Sequence, residues 1–365
     1  MRTDFRNGLL DRIEAMDLVL RELYTDYGYR PYKMSKFEPY DLYLENRSFV
    51  TGGSILTFTD TDGRLMALKP DVTLSVIKNY RGGQQKVCYS ENVYRDTGSS
   101  NEFREIPQAG LECIGEIDLY TQLEVLTLAA ESLKRISPEA LLDVASAEIV
   151  QGLLEAAPVS REERDALLHL LHEKNAHGMA EVCEKAGLPA QAASLWQYLA
   201  ALYGPANTAL PELHRRCLGD RMRAAVEELS ALCALLSDTG VPVQLDFSIL
   251  QDIHYYNGLV FRGYVPGVHA AVLSGGRYDH LLKKLGKHGQ AIGFAVYLDM
   301  LTQLPGGEKP LDADVLLHYG PEDDPAAVMQ RARQLRREGK RVLVQRQQTD
   351  ARCGETLQMG GENHA

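Results

Sequence analysis

Ser274–Leu301 reads SGGRYDHLLKKLGKHGQAIGFAVYLDML. A glycine pair, Gly275 and Gly276, runs into Arg277, and an apolar stretch follows from Ala291. Adjacent glycines let a backbone come close to a ligand or a neighbouring strand. The stretch from Ala291 is expected to be a helix. Its only charge is Asp299, and it carries no cation. Phosphate chemistry needs fixed positive charge where negative charge develops. The stretch therefore opens with the outline of a nucleotide site, but its last part, from Ala291, carries no cation.

The rest of the chain sets the context. At 365 residues it is long enough for two or three domains, and 45% hydrophobic residues supply a large core. No run of about 18 apolar residues occurs, so no membrane span is expected. The opening MRTDFRNGLLDRIEAMD mixes both charge signs and lacks the apolar core of a secretory signal. Six cysteines are scattered without a CxxC pair, which suits reduced thiols and a cytoplasmic location. The formal net charge of −11 argues against a polyanion such as tRNA, because displacing its counterions takes a basic stripe. The basic run RARQLRREGKR reads as a solvated helix face. In HEKNAH, His172 and His177 are five residues apart and diverge around a helix, so no metal site is expected. No cofactor is expected either.

Along the chain, Leu9, Ile13, Met16, Leu20, Leu23 and Tyr27 alternate at steps of four and three, one face of a helix that Gly28 ends. ILTFTDTDGRLMAL places Asp62-Gly63 as a hairpin turn. KVCYSENVY and PQAGLECIG read as strands, and Asp118 as the cap of a helix burying Leu123, Leu126, Ala130 and Leu133. From about 158 to 237 the pattern is wholly helical, as an insertion would be. Strands return in VQLDFSIL, YYNGLVFRGYV and HAAVLSGG. The core is thus α+β: an antiparallel sheet flanked by helices, with a helical insertion. The tail opens as a βαβ unit, ADVLLHY to RVLVQ, with Asp324, Pro325 and Gly339 at the helix ends. TDARCGETLQMGGENHA is expected to end the chain without another helix or strand. Residues 1–310 are taken as one domain and 311–365 as a truncated α/β remnant.

Four stretches hold the residues best suited to chemistry: LMALKPDVT, ENVYRDTGSSNEFREIPQAGLECIG, HYYNGLVF and the glycine stretch above. Residues 108, 110 and 112 alternate along one strand, so Gln108 and Glu112 share a face. In this order and spacing, from about residue 4 to residue 304, the stretches resemble four signature blocks of the histidyl-tRNA synthetases, class II aminoacyl-tRNA synthetases. The resemblance implies that Asp71, Thr73 and Gln108 surround the α-amino group of a histidine. It implies that Glu112 and Tyr256, with Tyr255 beside them, hold the imidazole. Arg95 matches the motif 2 arginine.

Departures from that family are as informative. Thr97 stands where motif 2 has a glutamate, Gln251 where the histidyl block opens with arginine, and Met300 where motif 3 has its arginine. Ser35 replaces the usual motif 1 proline. Losing one preorganised charge contact commonly costs about 3 kcal/mol of barrier, so two losses make adenylation negligible. KPDVT and the short tail are similar to the regulatory subunits of ATP phosphoribosyltransferase, which share the synthetase fold. That likeness implies a non-catalytic subunit that joins a short catalytic phosphoribosyltransferase in the first step of histidine biosynthesis. It implies L-histidine as effector and synthetase-like dimers within a hetero-octamer, without tRNA or membrane. A truncated histidyl-tRNA synthetase, or an adenylating paralogue, is the alternative.

Overall fold

The structure, a computed structural model, describes residues 11–46, 54–96, 103–250, 255–304, 311–347 and 349–359. Helix α1 (Arg12–Asp26) leads through β1 (Arg30–Pro31), β2 (Phe37–Pro39) and α2 (Tyr40–Glu45) to the hairpin of β3 (Thr57–Thr59) and β4 (Leu65–Leu68). The short α3 (Thr73–Asn79) precedes the long pair β5 (Gln85–Asp96) and β6 (Phe103–Gly115), then α4 (Leu119–Ile136), β7 (Leu141–Ser146) and α5 (Ala147–Ala156). Next come α6 (Arg161–His172), α7 (Ala176–Lys185), α8 (Ala190–Ala201), β8 (Tyr203–Pro205), α9 (Ala206–Arg215) and α10 (Asp220–Leu236). β9 (Val243–Asp246), β10 (Leu259–Tyr264), β11 (Leu273–Arg277), α11 (Asp279–Lys284) and β12 (Gln290–Tyr297) complete the core. β13 (Ala313–His318), α12 (Pro325–Arg337), β14 (Val342–Gln345) and β15 (Cys353–Gln358) follow.

The chain divides into two compact units, Met16–Leu304 and Met1–Ala15 with Pro305–Ala365. The larger holds a nine-stranded sheet in the order β1-β5-β6-β12-β11-β10-β7-β9-β8. Its centre is antiparallel, as expected, while β1 with β5 and β7 with β9 pair in parallel. Local signals account for the main elements. Gly28 and Gly63 take φ of 83° and 78°, left-handed values that stop α1 and turn the hairpin. Asp118 accepts the backbone N–H of Thr121 and caps α4, which buries Leu126, Ala130 and Leu133 and half-buries Leu123. α1 buries Leu20, Leu23 and Tyr24, whereas Tyr27 is exposed and Leu9 lies outside the described residues.

Three expectations are corrected. The stretch from Ala291 is not a helix but β12, between β6 and β11. Small Ala291, Gly293 and Ala295 alternate with Ile292, Phe294 and Val296, a period of two buried on both sides. A wholly apolar run lacks the polar face that distinguishes a strand from a helix, which is why the period is hard to read. Only Leu298–Gln303 is helical, as a 3-10 turn. The 158–237 block is not wholly helical, since β8 pairs antiparallel with β9. The tail does carry another strand: β15 pairs in parallel with β13 on the side opposite β14. Its CGETLQ is mostly solvated, so it has no hydrophobic alternation to announce it.

Candidate functional site

The site is set by the register of the central strands. Gln108 pairs with Tyr297, Gly110 with Ala295 and Glu112 with Gly293, while Gly276 pairs with Gly293 on its other side. Register partners point to the same side of a sheet, so these positions share one face. Glycine is required at three of them; a Cβ on Gly110 would overlap the carbonyl oxygen of Phe294. A Cβ on Gly293 would overlap the Glu112 carboxylate, and one on Gly276 would sit 2.6 Å from Cδ1 of Tyr256. The glycines make a floor on which Glu112 and Tyr256 lie.

Glu112 is the centre of the cleft. It is 1% exposed. Its Oε1 accepts the Thr73 hydroxyl at 2.7 Å, and its Oε2 accepts the phenol of Tyr278. Burial raises its pKa from the usual 4.5 to about 8; the two hydroxyls offset part of this, and the nearby Asp71 charge adds to it. At neutral pH the buried acid is mostly protonated.

Asp71 heads α3, where its Oδ1 accepts the backbone N–H of Leu74 at 3.0 Å. Its Oδ2 lies 3.7 Å from a terminal nitrogen of Arg95. Burial still raises its pKa, with Arg95 opposing. Arg95 also donates from Nε to the carbonyl of Pro70 at 2.7 Å, so it clasps the turn that presents Asp71 and Thr73. The start of that turn is held by Lys69, fully buried, whose Nζ meets Glu91 Oε2 at 2.7 Å.

Gln108 is 2% exposed, and its Nε2 is buried without a hydrogen-bond partner. An orphaned buried donor is costly, and a ligand acceptor would satisfy it. Tyr255 and Tyr256 meet edge to face at 4.6 Å, and Tyr255 lies 5.9 Å from the Tyr278 ring. Burial raises both phenols, and Asp71 and Glu112 add to this in each case. Both therefore stay neutral and act as walls with hydroxyl tips.

All seven residues singled out from sequence thus gather on one side of the sheet. The arrangement is a buried cluster of aromatic rings around a protonatable acid, an unpartnered amide donor and a paired carboxylate. It suits a small polar ligand carrying a flat ring with N–H groups. Tyr278 was not singled out, although it stands inside the quoted GGRYD; only the fold shows that its hydroxyl reaches Glu112. Arg277, its neighbour, binds Asp279 through Nε at 2.9 Å.

The phosphate side differs. Met300 lies in the 298–303 turn and contacts the Gln303 amide through sulfur at 3.3 Å. Asp299 Oδ1 is buried without a partner; burial raises its pKa, while backbone N–H groups and the charges of Arg104 and Arg95 oppose. Thr97 and Gln251 lie outside the described residues. His172 Nδ1 lies 2.9 Å from the carbonyl of Ser248, and no cluster fit for a metal occurs among the described residues. No described helix is long and apolar enough to cross a membrane.

Sheet and cleft together define a class II aminoacyl-tRNA-synthetase-type core. A family model described as histidyl-tRNA synthetase matches residues 4–301. An ATP phosphoribosyltransferase regulatory subunit from Oceanobacillus iheyensis is 28% identical, with 94% of this chain and 87% of that one covered. The protein of that name from Caldanaerobacter subterraneus subsp. tengcongensis is 30% identical, over 88% of this chain and 87% of that one. A crystal structure of an ATP phosphoribosyltransferase regulatory subunit/histidyl-tRNA synthetase from Bacillus halodurans shares the fold, with a TM-score of 0.80, 24% identity and 98% of each chain covered. The chain belongs to the histidyl-tRNA synthetase family, among the ATP phosphoribosyltransferase regulatory subunits.

Proposed function

We propose that this chain is the non-catalytic regulatory subunit of an ATP phosphoribosyltransferase, acting in the first step of histidine biosynthesis in the cytoplasm. It enables a short catalytic subunit and relays feedback by L-histidine. The names of its relatives support the pathway. The observation that carries the non-catalytic part is the fate of the cations. Arg95 is engaged by Pro70 and Asp71, and Met300 occupies the motif 3 arginine position. The residues suited to an amino acid are gathered, and the phosphate side lacks the motif 3 arginine.

In this reading L-histidine enters the cleft with its ring against Tyr255 and Tyr256. Glu112 accepts a ring N–H, releasing its proton as it does so. Asp71, Thr73 and Gln108 take the α-amino and carboxylate end; Gln108 Nε2, as a donor, serves the carboxylate. Feedback then requires that histidine bind one assembly state better than another, a coupling of typically about 1–3 kcal/mol. The subunit pairs with itself as synthetases do, within a hetero-octamer, and the unit after residue 310 is a counterpart of the opening of the synthetase anticodon domain. It uses no tRNA, metal or cofactor.

The test is co-purification with the short phosphoribosyltransferase of the same cell, followed by assay with and without histidine. Activation by this chain and inhibition by histidine are expected. ATP–pyrophosphate exchange with histidine by the purified chain would instead favour the alternative, a histidyl-tRNA synthetase or an amino-acid-adenylating paralogue.

A further inference from the structure

A cavity of about 310 Å³ lies on the other side of the sheet. Its walls come from α4 (Gln122), α10 (Arg221, Glu228), the 257–259 segment and Arg277. Arg277 pairs with Ile292, one step from the Gly276–Gly293 pair below Glu112, so its side chain leaves the opposite face. The cavity is therefore separate from the cleft.

One of its polar groups is incompletely satisfied. Gln122 is 3% exposed; its Nε2 donates to Glu228 Oε1 at 2.8 Å, and its Oε1 is buried without a partner. Arg277 donates from Nε to Asp279, and its side chain lines the cavity. The other charges are balanced: Arg221 is held by Glu148 at 2.8 Å and by Glu155 at 3.3 Å. One wall thus offers a cationic fork and another an acceptor beside a carboxylate. Leu229, Leu232 and Leu259 supply an apolar side between them.

We propose that this cavity is a second binding site, for a small zwitterion of the amino-acid class. A carboxylate pairs with the Arg277 fork, the geometry guanidinium favours. An ammonium donates to Gln122 Oε1 and to Glu228, so the orphaned acceptor gains its partner. The volume, at the low end of ligand pockets, admits an amino acid. Nothing in this assignment depends on what the cleft binds.

The test is equilibrium dialysis of the full chain against each proteinogenic L-amino acid at millimolar concentration, counting molecules bound per chain. Gln122→Leu removes the acceptor, and Ala225→Leu fills the cavity from α10 without touching its polar lining. Each is expected to remove one bound molecule or weaken it at least about tenfold, the scale of one lost charge-assisted hydrogen bond. The same loss is expected in a Glu112→Gln background, where the cleft is altered. If no amino acid binds, or if the bound number and affinity survive both cavity substitutions, the assignment is overturned. Should Gln122→Leu fold poorly, Ala225→Leu alone carries the decision.

Discussion

Replacing Glu112 with glutamine tests the electrostatics of the cleft directly. Glu112 is buried with a pKa of about 8 against a usual 4.5. A carboxyl raised in the folded state holds its proton there after the unfolded chain has released it. Its stabilising contribution is complete below about pH 4.5 and is lost as pH rises through about 8. At about 1.4 kcal/mol per pH unit, the wild-type chain loses roughly 3–4 kcal/mol from this group between pH 5 and pH 8. Glutamine has nearly the same shape and keeps an acceptor for Thr73 and a polar neighbour for Tyr278, but it does not titrate. Urea unfolding of both chains at pH 5 and pH 8 isolates the effect, because every other group cancels in the difference. The Glu112→Gln chain should gain on the wild type by about 3–4 kcal/mol across that interval. It should also bind histidine at least about tenfold more weakly and relax feedback in the complex, since glutamine cannot become a carboxylate for the ring N–H. Parallel stability curves for the two chains would refute the buried, protonated acid, and unchanged histidine inhibition would refute its place in the sensor.

Further outcomes follow from the same geometry. Tyr278→Phe removes a hydroxyl that favours the ionised form of Glu112, so a carboxyl ¹³C titration should show its pKa rising above about 8. Gly293→Ala drives a methyl into Glu112 and should cost about 1–3 kcal/mol in urea unfolding while weakening histidine binding. Glu91→Gln strips the fully buried Lys69 of its counter-charge and should cost about 3–5 kcal/mol, whereas Lys69→Met, which leaves the more accessible Glu91, should cost less; thermal unfolding ranks the two. Asp143 is pushed up to about 7 by burial, with Asp246 adding to it, so its contribution is present below about pH 3.8 and lost as pH rises through 7. Asp143→Asn should therefore be more stable than the wild type at pH 8, by about 2–4 kcal/mol in urea unfolding.

Much of the fold was legible because its signals are local. The Asp62-Gly63 turn, the Asp118 cap, the Gly28 stop and the two-step alternation of 108, 110 and 112 each involve residues a few positions apart. The order of the four motifs likewise marked the family. β12 was misread because a strand buried on both faces shows no polar period, and β15 because a mostly solvated strand shows no apolar one. Tyr278 was overlooked because its partner, Glu112, is 166 positions away in the chain.

By itself, then, the amino-acid order determined which residues are present: the α+β pattern, the family motifs and the replacement of the motif 3 arginine by Met300. Only the tertiary structure decided their state. Whether Glu112 is charged depends on how much water reaches it, and that depends on Gly293 beneath it and on Thr73 and Tyr278 brought in from distant segments. Arg95 is a clasp rather than a free cation because the turn at Pro70 folds onto it. Solvation and hydrogen-bond pairing are properties of neighbours in space, and a chain acquires those neighbours only by folding.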